Sequence, residues 1–136
     1  MRSFLLCPLL LVVLLFSNCK KVTEVTQVVQ PNLTIFKTLQ PGNWKYDGTS
    51  KTYYNDISVP ELDDHTVQTN GVLAYITFDN IVYEALPDVL DGITFICRYQ
   101  KGIFTVESQH ADGSAPTTPP SGAIGLKIVL IDSDTQ

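Results

Sequence analysis

The sequence has few cysteines, few histidines and no cluster of basic residues. Its 136 residues include 3 Cys, 2 His and 9 Lys or Arg, and the basic residues are scattered among 14 Asp or Glu. A nucleic-acid-binding protein needs a basic patch or stripe, so we exclude nucleic acid as a partner. No stretch shows an apolar period of 3.6 residues long enough for a packed helix, which argues against a helical bundle.

The longest apolar run lies at the N-terminus. Arg2 supplies a positive start, and residues 4–16 are apolar with Pro8 as the main interruption. This length matches the apolar region of a secretory signal peptide. It is shorter than the roughly 18–20 residues that a transmembrane helix needs. We therefore predict that residues 1–18 are a signal peptide.

Cys19 follows this run directly after Ser17 and Asn18. An apolar run that ends in small or polar residues and then Cys is the pattern that lipoprotein signal peptidase recognises. Phe16 and Asn18 depart from the usual Leu and Gly or Ala at those positions. An ordinary cleaved signal peptide and an uncleaved anchor helix are the alternatives. We predict a lipoprotein in which Cys19 carries the lipid and holds the protein on a membrane.

Removal of the leader leaves 118 residues, with 8 basic and 14 acidic side chains and a net charge of −6. That length suits one domain. We predict a lipidated tether over residues 19–31 and a single domain over residues 32–136. Lys20 and Lys21 would lie at the lipid headgroups. Residues 20–24 lack an acidic run that often marks surface export, so we slightly favour the periplasmic face of the outer membrane over the cell surface.

Cys97 is the one cysteine outside the leader and the predicted lipid site, so we expect no intramolecular disulfide. It shares strand parity with Phe95 and Tyr99, which is typical of a buried small apolar residue. A nucleophilic thiol would need a pKa lowered by a nearby cation or helix N-terminus. Arg98 is adjacent in sequence but would point to the opposite face of a strand.

From Pro31 onward the pattern is β. Alternating apolar residues and turn signals predict about eight short strands, over residues 33–38, 43–46, 52–59, 72–78, 81–86, 93–99, 103–108 and 123–132. Asp79-Asn80 and Gly102 are predicted hairpin turns, and residues 87–91 and 110–122 are predicted loops. Residues 61–71 are predicted to hold one helical turn, capped by Asp63 or Asp64 and ended by a left-handed residue at Asn70-Gly71.

This pattern favours an all-β fold, an antiparallel β-sandwich of immunoglobulin-like character that follows the signal peptide. A small barrel is the alternative. The C-terminal strand carries Ile124, Leu126, Ile128 and Leu130 on one face. It suits either a core strand or a strand that exchanges with a partner.

Several motifs resemble those of small Bacteroidota lipoproteins. These motifs are Trp44, Tyr53-Tyr54, residues 57–62 (ISVPEL), residues 70–76 (NGVLAYI), Tyr83, residues 85–87 (ALP), and Gly122 with residues 127–131 (KIVLI). Some members of this family carry collagen-like repeats between the lipid and the domain, which this chain lacks. The resemblance implies export and a C-terminal β-sandwich. It implies no activity, cofactor or site residue.

The polar cluster Glu61, Asp63, Asp64 and His65 is the strongest metal candidate in the sequence. Zinc sites usually need three or four convergent ligands, often from more than one segment, and the calcium loop pattern is absent. We therefore predict no metal site, no cofactor and a solvated turn. The nucleophile motif G-x-S-x-G is also absent, and His110 falls in a predicted loop. We predict no catalytic residues and no enzymatic activity.

Aromatic residues are numerous for so small a domain. Exposed rings could stack on sugars or peptides, although a β-sandwich also buries aromatics in its core. We predict Trp44, Tyr46, Tyr54 and Tyr83 as ligand-binding residues. The predicted function is a lipid-anchored binding or structural module of the cell envelope. Its alternatives are a glycan- or peptide-binding domain and a subunit of an envelope or fimbrial assembly.

Overall fold

Two antiparallel sheets packed face to face make up residues 31–133, the part of the chain that the structure, a computed structural model, describes. The predicted β-sandwich is confirmed, and the small barrel is wrong because the strands form two separate sheets. The immunoglobulin-like character stays a prediction. The predicted signal peptide, Cys19 and most of the tether lie outside the described residues. No helix within residues 31–133 has the length and hydropathy to cross a membrane.

The four-stranded sheet has the order β1 (Leu33–Leu39), β9 (Ile124–Ile131), β4 (Gly71–Thr77) and β5 (Glu84–Ala85). Burial along β9 alternates, as its sequence predicts: Ile124, Leu126, Ile128 and Leu130 are buried, and the residues between them are half-buried. Because β1 and β4 pair with its two sides, β9 is a core strand. Both edges of β9 are therefore paired within the chain, and strand exchange stays a prediction.

The five-stranded sheet has the order β2 (Lys45–Asp47), β3 (Thr52–Ser58), β8 (Ile103–His110), β7 (Ile93–Gln100) and β6 (Asp88–Leu90). β7 and β8 form a hairpin that pairs Gln100 with Ile103. Gly102 in its turn has a φ of 74°, a conformation that costs glycine little. The predicted hairpin is confirmed.

The core lies between the sheets. Phe104 and Val106 of β8 are fully buried, and Ile76 and Ile128 face them from the other sheet with no exposed surface. Trp44, in the link between a short 3-10 turn (Pro41–Asn43) and β2, is also buried with 8% exposure. Its indole N–H has no hydrogen-bond partner among the described residues.

A short helix, α1 (Asp64–Thr69), connects the two sheets. Asp63 is its N-cap, as predicted, since its carboxylate accepts a 2.8 Å hydrogen bond from the backbone N–H of Thr66. The predicted left-handed end is wrong. Asn70 is extended, with φ −85° and ψ 151°, and Gly71 begins β4 directly, so the chain needs an extended residue there.

Residues 79–91 differ from the prediction. The expected strand 81–86 reduces to β5, because the Asp79 carboxylate accepts hydrogen bonds from the N–H groups of Ile81 and Val82 and holds them in a loop. Asn80 has the positive φ, 61°, that its residue type tolerates. The predicted loop 87–91 contains β6, which pairs with β7. β5 and β6 are strands because they pair with β4 and β7, not because apolar and polar residues alternate within them.

Candidate functional site

The outer face of the five-stranded sheet carries an open groove of about 540 Å³. We call it the tyrosine groove; it is lined by Tyr46, Asp47, Thr52, Tyr54, Asp56, Arg98, Tyr99, Gln100, Thr105 and Glu107. Its centre follows from the strand register, which places Asp56 opposite Thr105 and Thr105 opposite Arg98. Since alternate residues of a strand share a face, three neighbouring strands direct polar side chains into the groove.

Three tyrosines border the groove. Tyr46 is 46% exposed and Tyr99 is 39% exposed, while Tyr54 is half-buried. The Tyr46 ring packs against Tyr53 at 5.1 Å between centroids. The Lys45 ammonium lies 5.9 Å from the centroid of the Tyr54 ring, within cation–π range. Tyr46 and Tyr99 directly follow Lys45 and Arg98 in their strands, so their rings point to the opposite face of the sheet, and Tyr54 is the ring that the groove presents to a ligand.

Charged side chains and a hydroxyl share the face of the groove with Tyr54. The hydroxyl of Thr105 donates a 2.7 Å hydrogen bond to Asp56, and the guanidinium of Arg98 pairs with the carboxylate of Glu107. The backbone N–H of Thr49 and the hydroxyl of Ser50 hydrogen-bond to Asp47 and lower the pKa of its carboxyl. Asp47 is therefore ionised at neutral pH.

The four predicted ligand-binding residues do not form one site. Tyr46 and Tyr54 line the groove, but Trp44 lies in the core, where aromatic burial stabilises the sandwich and leaves no ring face for a ligand. Tyr83 belongs to the four-stranded sheet's side of the molecule, where its ring centroid is 4.4 Å from the ammonium of Lys127. The same ammonium lies 4.3 Å from the centroid of Tyr75.

Sequence reasoning missed the polar part of the groove. Asp56, Arg98, Thr105 and Glu107 each look like an ordinary solvent-facing strand residue in the sequence. Their alternation with apolar neighbours was a usable signal, because it predicts which residues of a strand share the outer face. The order of the strands, which brings these positions together, carries no local signal.

The acidic turn after β3 uses its carboxylates structurally. Asp63 caps α1, and Asp64 forms an ion pair with Lys101. The hydrogen bond from the Thr66 backbone, above all, lowers the pKa of the Asp63 carboxyl. Within residues 31–133 no group of three or more His, Cys, Asp or Glu side chains is arranged to hold a metal ion.

A second cavity, of about 660 Å³, opens at the end of the sandwich away from the β7–β8 turn. We call it the end cleft; it is lined by Phe78, Glu84, Leu90, Asp91, Ile93, Phe95, Ser108, His110 and Ile124, with Pro116 and residues 118–122 of the loop before β9. His110 Nδ1 lies 3.0 Å from the hydroxyl of Ser114. Ser114 is not among the residues that line the cleft, and no hydrogen bond found within residues 31–133 links His110 to Ser108, which does line it.

Cys97 lies on the same face of β7 as buried Phe95, as the alternation of the strand predicts. The thiol is free, half-buried and packed against the core. Burial raises the pKa of the thiol, the opposite of what a nucleophile needs. We therefore assign Cys97 a packing role.

No family model matches the chain, and no match is found among curated proteins or among solved structures. The resemblance to Bacteroidota lipoproteins thus stays a prediction from the sequence motifs. A functional assignment has to come from the geometry of the tyrosine groove and the end cleft.

Proposed function

We propose that this chain is a lipid-anchored, non-enzymatic binding module of the cell envelope and that its ligand is a glycan held in the tyrosine groove. The observation that carries the proposal is the grouping of Tyr54 with the side chains of Asp56, Arg98 and Glu107 on one open face of the sheet. The groove has a volume within the range of small-molecule sites.

The chemistry of the lining suits a sugar. One face of a sugar ring presents C–H groups that pack on an aromatic ring, while its edge presents hydroxyls. Asp47, Asp56 and Glu107 supply acceptors for those hydroxyls, and Arg98 and Gln100 supply donors. Hydrogen bonds to ionised groups are the stronger ones, so they favour a ligand with many hydroxyls.

An apolar peptide suits the groove less well. Its side chains would have to displace water from Asp56 and Arg98 without replacing the hydrogen bonds. The Arg98–Glu107 pair is also partly desolvated already, because the Glu107 side chain is only 8% exposed. An apolar occupant would remove more water from this ion pair, whereas sugar hydroxyls would replace the hydrogen bonds of the water that they displace.

The anchor part of the proposal is supported by the sequence alone. A 13-residue tether from Cys19 to Pro31 would reach at most about 45 Å from the membrane. That reach exceeds the roughly 10 Å that separates two packed sheets. The groove could therefore face away from the lipid surface and meet an envelope glycan.

A glycan array tests the proposed ligand. The full-length chain should bind a subset of glycans, and Tyr54→Ala should weaken that binding roughly tenfold by removing a stacking face. Tyr83→Ala is the matched control, because Tyr83 is 36% exposed and lies outside the groove. Binding to no glycan, or an equal loss in both variants, would overturn the proposal.

Metabolic palmitate labelling tests the anchor. Wild-type protein should incorporate label and Cys19→Ser should not, since the lipid is expected on that thiol. Protease shaving of intact cells then distinguishes the two leaflets: protection places the domain inside the envelope, and cleavage places it on the surface. Label that persists in Cys19→Ser contradicts a lipid on this residue.

A second candidate function, a subunit of an envelope or fimbrial assembly, is favoured by the edge strand β1. β1 has seven residues and pairs only with β9 among the described strands, whereas the other edge strands β2, β5 and β6 have two or three. Long unprotected edges are the usual sites of strand pairing between chains. Phe36, at the middle of β1, is 65% exposed.

Sedimentation analysis tests this candidate. An assembly subunit should form concentration-dependent oligomers that Phe36→Lys abolishes, because a charge on the edge opposes pairing. Val82→Lys provides a control, since Val82 is 58% exposed and lies in a loop away from β1. A wild-type chain that stays monomeric at high concentration contradicts assembly through β1.

A further inference from the structure

The end cleft has an apolar floor. Glycan binding in the tyrosine groove gives this floor no role. Phe95 and Ile124, only 4% and 1% exposed, reach it from opposite sheets. The ring of Phe78 stands edge-on to Phe95 at 6.0 Å and forms one wall. Prolines of the loop before β9 contribute to the other wall. A cavity of about 660 Å³ between such walls is typical of a small-molecule site.

The charged groups that line the end cleft are of one sign. Glu84 of β5 and Asp91 after β6 contribute carboxylates, His110 contributes an imidazole, and no Lys or Arg lies among the lining residues. Ser108, only 4% exposed, also lines the cleft.

We propose that the end cleft binds a small primary amine carried on an apolar group, such as an arylalkylammonium ion. The carboxylates of Glu84 and Asp91 would neutralise the ammonium, and the apolar group would pack against Phe78 and the buried floor. An ammonium can also lie over an aromatic face, which favours a cation beside Phe78. An anionic ligand would meet like charge, and a neutral one would gain no attraction from the two carboxylates.

The end cleft is separate from the tyrosine groove. The two cavities share no lining residue, because the cleft lies between the sheet ends and the groove lies on the outer face of one sheet. Amine binding in the end cleft is therefore tested independently of glycan binding in the tyrosine groove. Tyr54→Ala, which tests the groove, should leave amine binding unchanged.

Three matched ligands test the proposal on the full-length chain: 2-phenylethylammonium, 2-phenylethanol and 3-phenylpropanoate. Methyl NMR should show shifts at Leu90, Ile93 and Ile124, which line the cleft. The ammonium ion should bind most tightly and the carboxylate most weakly, because the same phenylethyl group carries a positive charge in the first and a negative charge in the second. Equal binding of all three, or shifts confined to other methyl groups, would overturn the proposal.

Two variants distinguish the contribution of the carboxylates to ligand binding from that of the Phe78 ring. The double variant Glu84→Gln with Asp91→Asn should weaken ammonium binding roughly tenfold and change 2-phenylethanol binding by less than about twofold. Phe78→Ala should weaken both ligands, and Phe78 is 55% exposed, so its truncation should leave the fold intact. Glu61→Gln is the matched control, because exposed Glu61 follows β3 outside the cleft. Unchanged ammonium binding in the double variant refutes a role for the carboxylates.

Discussion

Arg98 pairs with Glu107 along a diagonal of the β7–β8 hairpin, not with the residue directly opposite it. The register places Arg98 opposite Thr105 and Glu107 opposite Ile96. The Glu107 side chain is 8% exposed, whereas that of Arg98 is 70% exposed. A nearly buried carboxylate therefore depends on an exposed cation for charge compensation.

This dependence predicts unequal costs for removing the two partners. Arg98→Met keeps the apolar stem but leaves the Glu107 carboxylate uncompensated, so it should lower the free energy of unfolding by about 1–3 kcal/mol. Glu107→Gln should cost less, because a neutral amide needs no counter-charge. Urea unfolding of both variants measures the difference. Equal costs would show that Glu107 does not rely on Arg98.

Gly125 is predicted to be intolerant of any side chain. A Cβ at this position would lie 2.7 Å from the methyl group of Thr77, and Thr77 is only 2% exposed and cannot move aside. Gly125→Ala should lower the free energy of unfolding by about 1–3 kcal/mol through overpacking. Gly122→Ala, where a Cβ meets nothing within 4 Å, should be nearly neutral by the same unfolding measurement.

A second substitution checks the cause of that cost. Thr77→Ser removes the methyl group but keeps the hydroxyl that donates to Asp79 and accepts from the N–H of Asn80. Combined with Thr77→Ser, the Gly125→Ala cost should shrink. If Gly125→Ala lowers the free energy of unfolding by the same amount in the Thr77→Ser background, the cause is the backbone at residue 125 and not the Thr77 methyl group.

Asp79 should make stability depend on pH. Hydrogen bonds from the backbone N–H groups of Ile81 and Val82 lower the pKa of its carboxyl below the ordinary 3.8. A carboxyl whose pKa is depressed by folding contributes stability above its unfolded pKa, and that contribution is lost as the pH falls through the folded-state pKa. Asp79→Asn retains an acceptor oxygen but does not titrate.

Unfolding measured from pH 7 to pH 2 tests this expectation. The difference in free energy of unfolding between wild type and Asp79→Asn should narrow as the pH falls below 3.8. A difference that stays constant over the whole range would mean that the loop does not depend on the charge of Asp79.

Cys97 should react slowly with thiol reagents in the folded protein. Burial raises the pKa of its thiol, so little thiolate is present at neutral pH, and its side chain is packed against the core. Labelling by Ellman's reagent at pH 7.5 should be roughly tenfold or more slower than in urea. Cys97→Ser identifies the signal that belongs to this residue. Rapid labelling of the native chain contradicts the assigned packing role.

Much of the fold could be predicted from local patterns. The alternation in β9 predicts its buried face, Gly102 marks the β7–β8 turn, and Asp63 marks the start of α1. β5 and β6 could not be predicted in this way, because strands of two or three residues have too little alternation to recognise. Their pairing with β4 and β7 defines them.

The candidate site was less predictable than the fold. Trp44 and Tyr46 are two residues apart and equally aromatic, yet one is buried in the core and the other borders the groove. Aromatic residues are favoured both in a core and at a binding surface, so residue type alone could not distinguish the two positions. Burial depends on what the second sheet covers.

The sequence by itself determined the all-β class, the faces of the long strands and the turns, because these follow from local sterics and from a side-chain period of two. Only the tertiary structure decided the tyrosine groove. Asp56 and Thr105 hydrogen-bond across 49 positions of the chain, and their contact exists because β8 lies between β3 and β7. The order of strands in a sheet is fixed by long-range packing, for which no single segment carries the information.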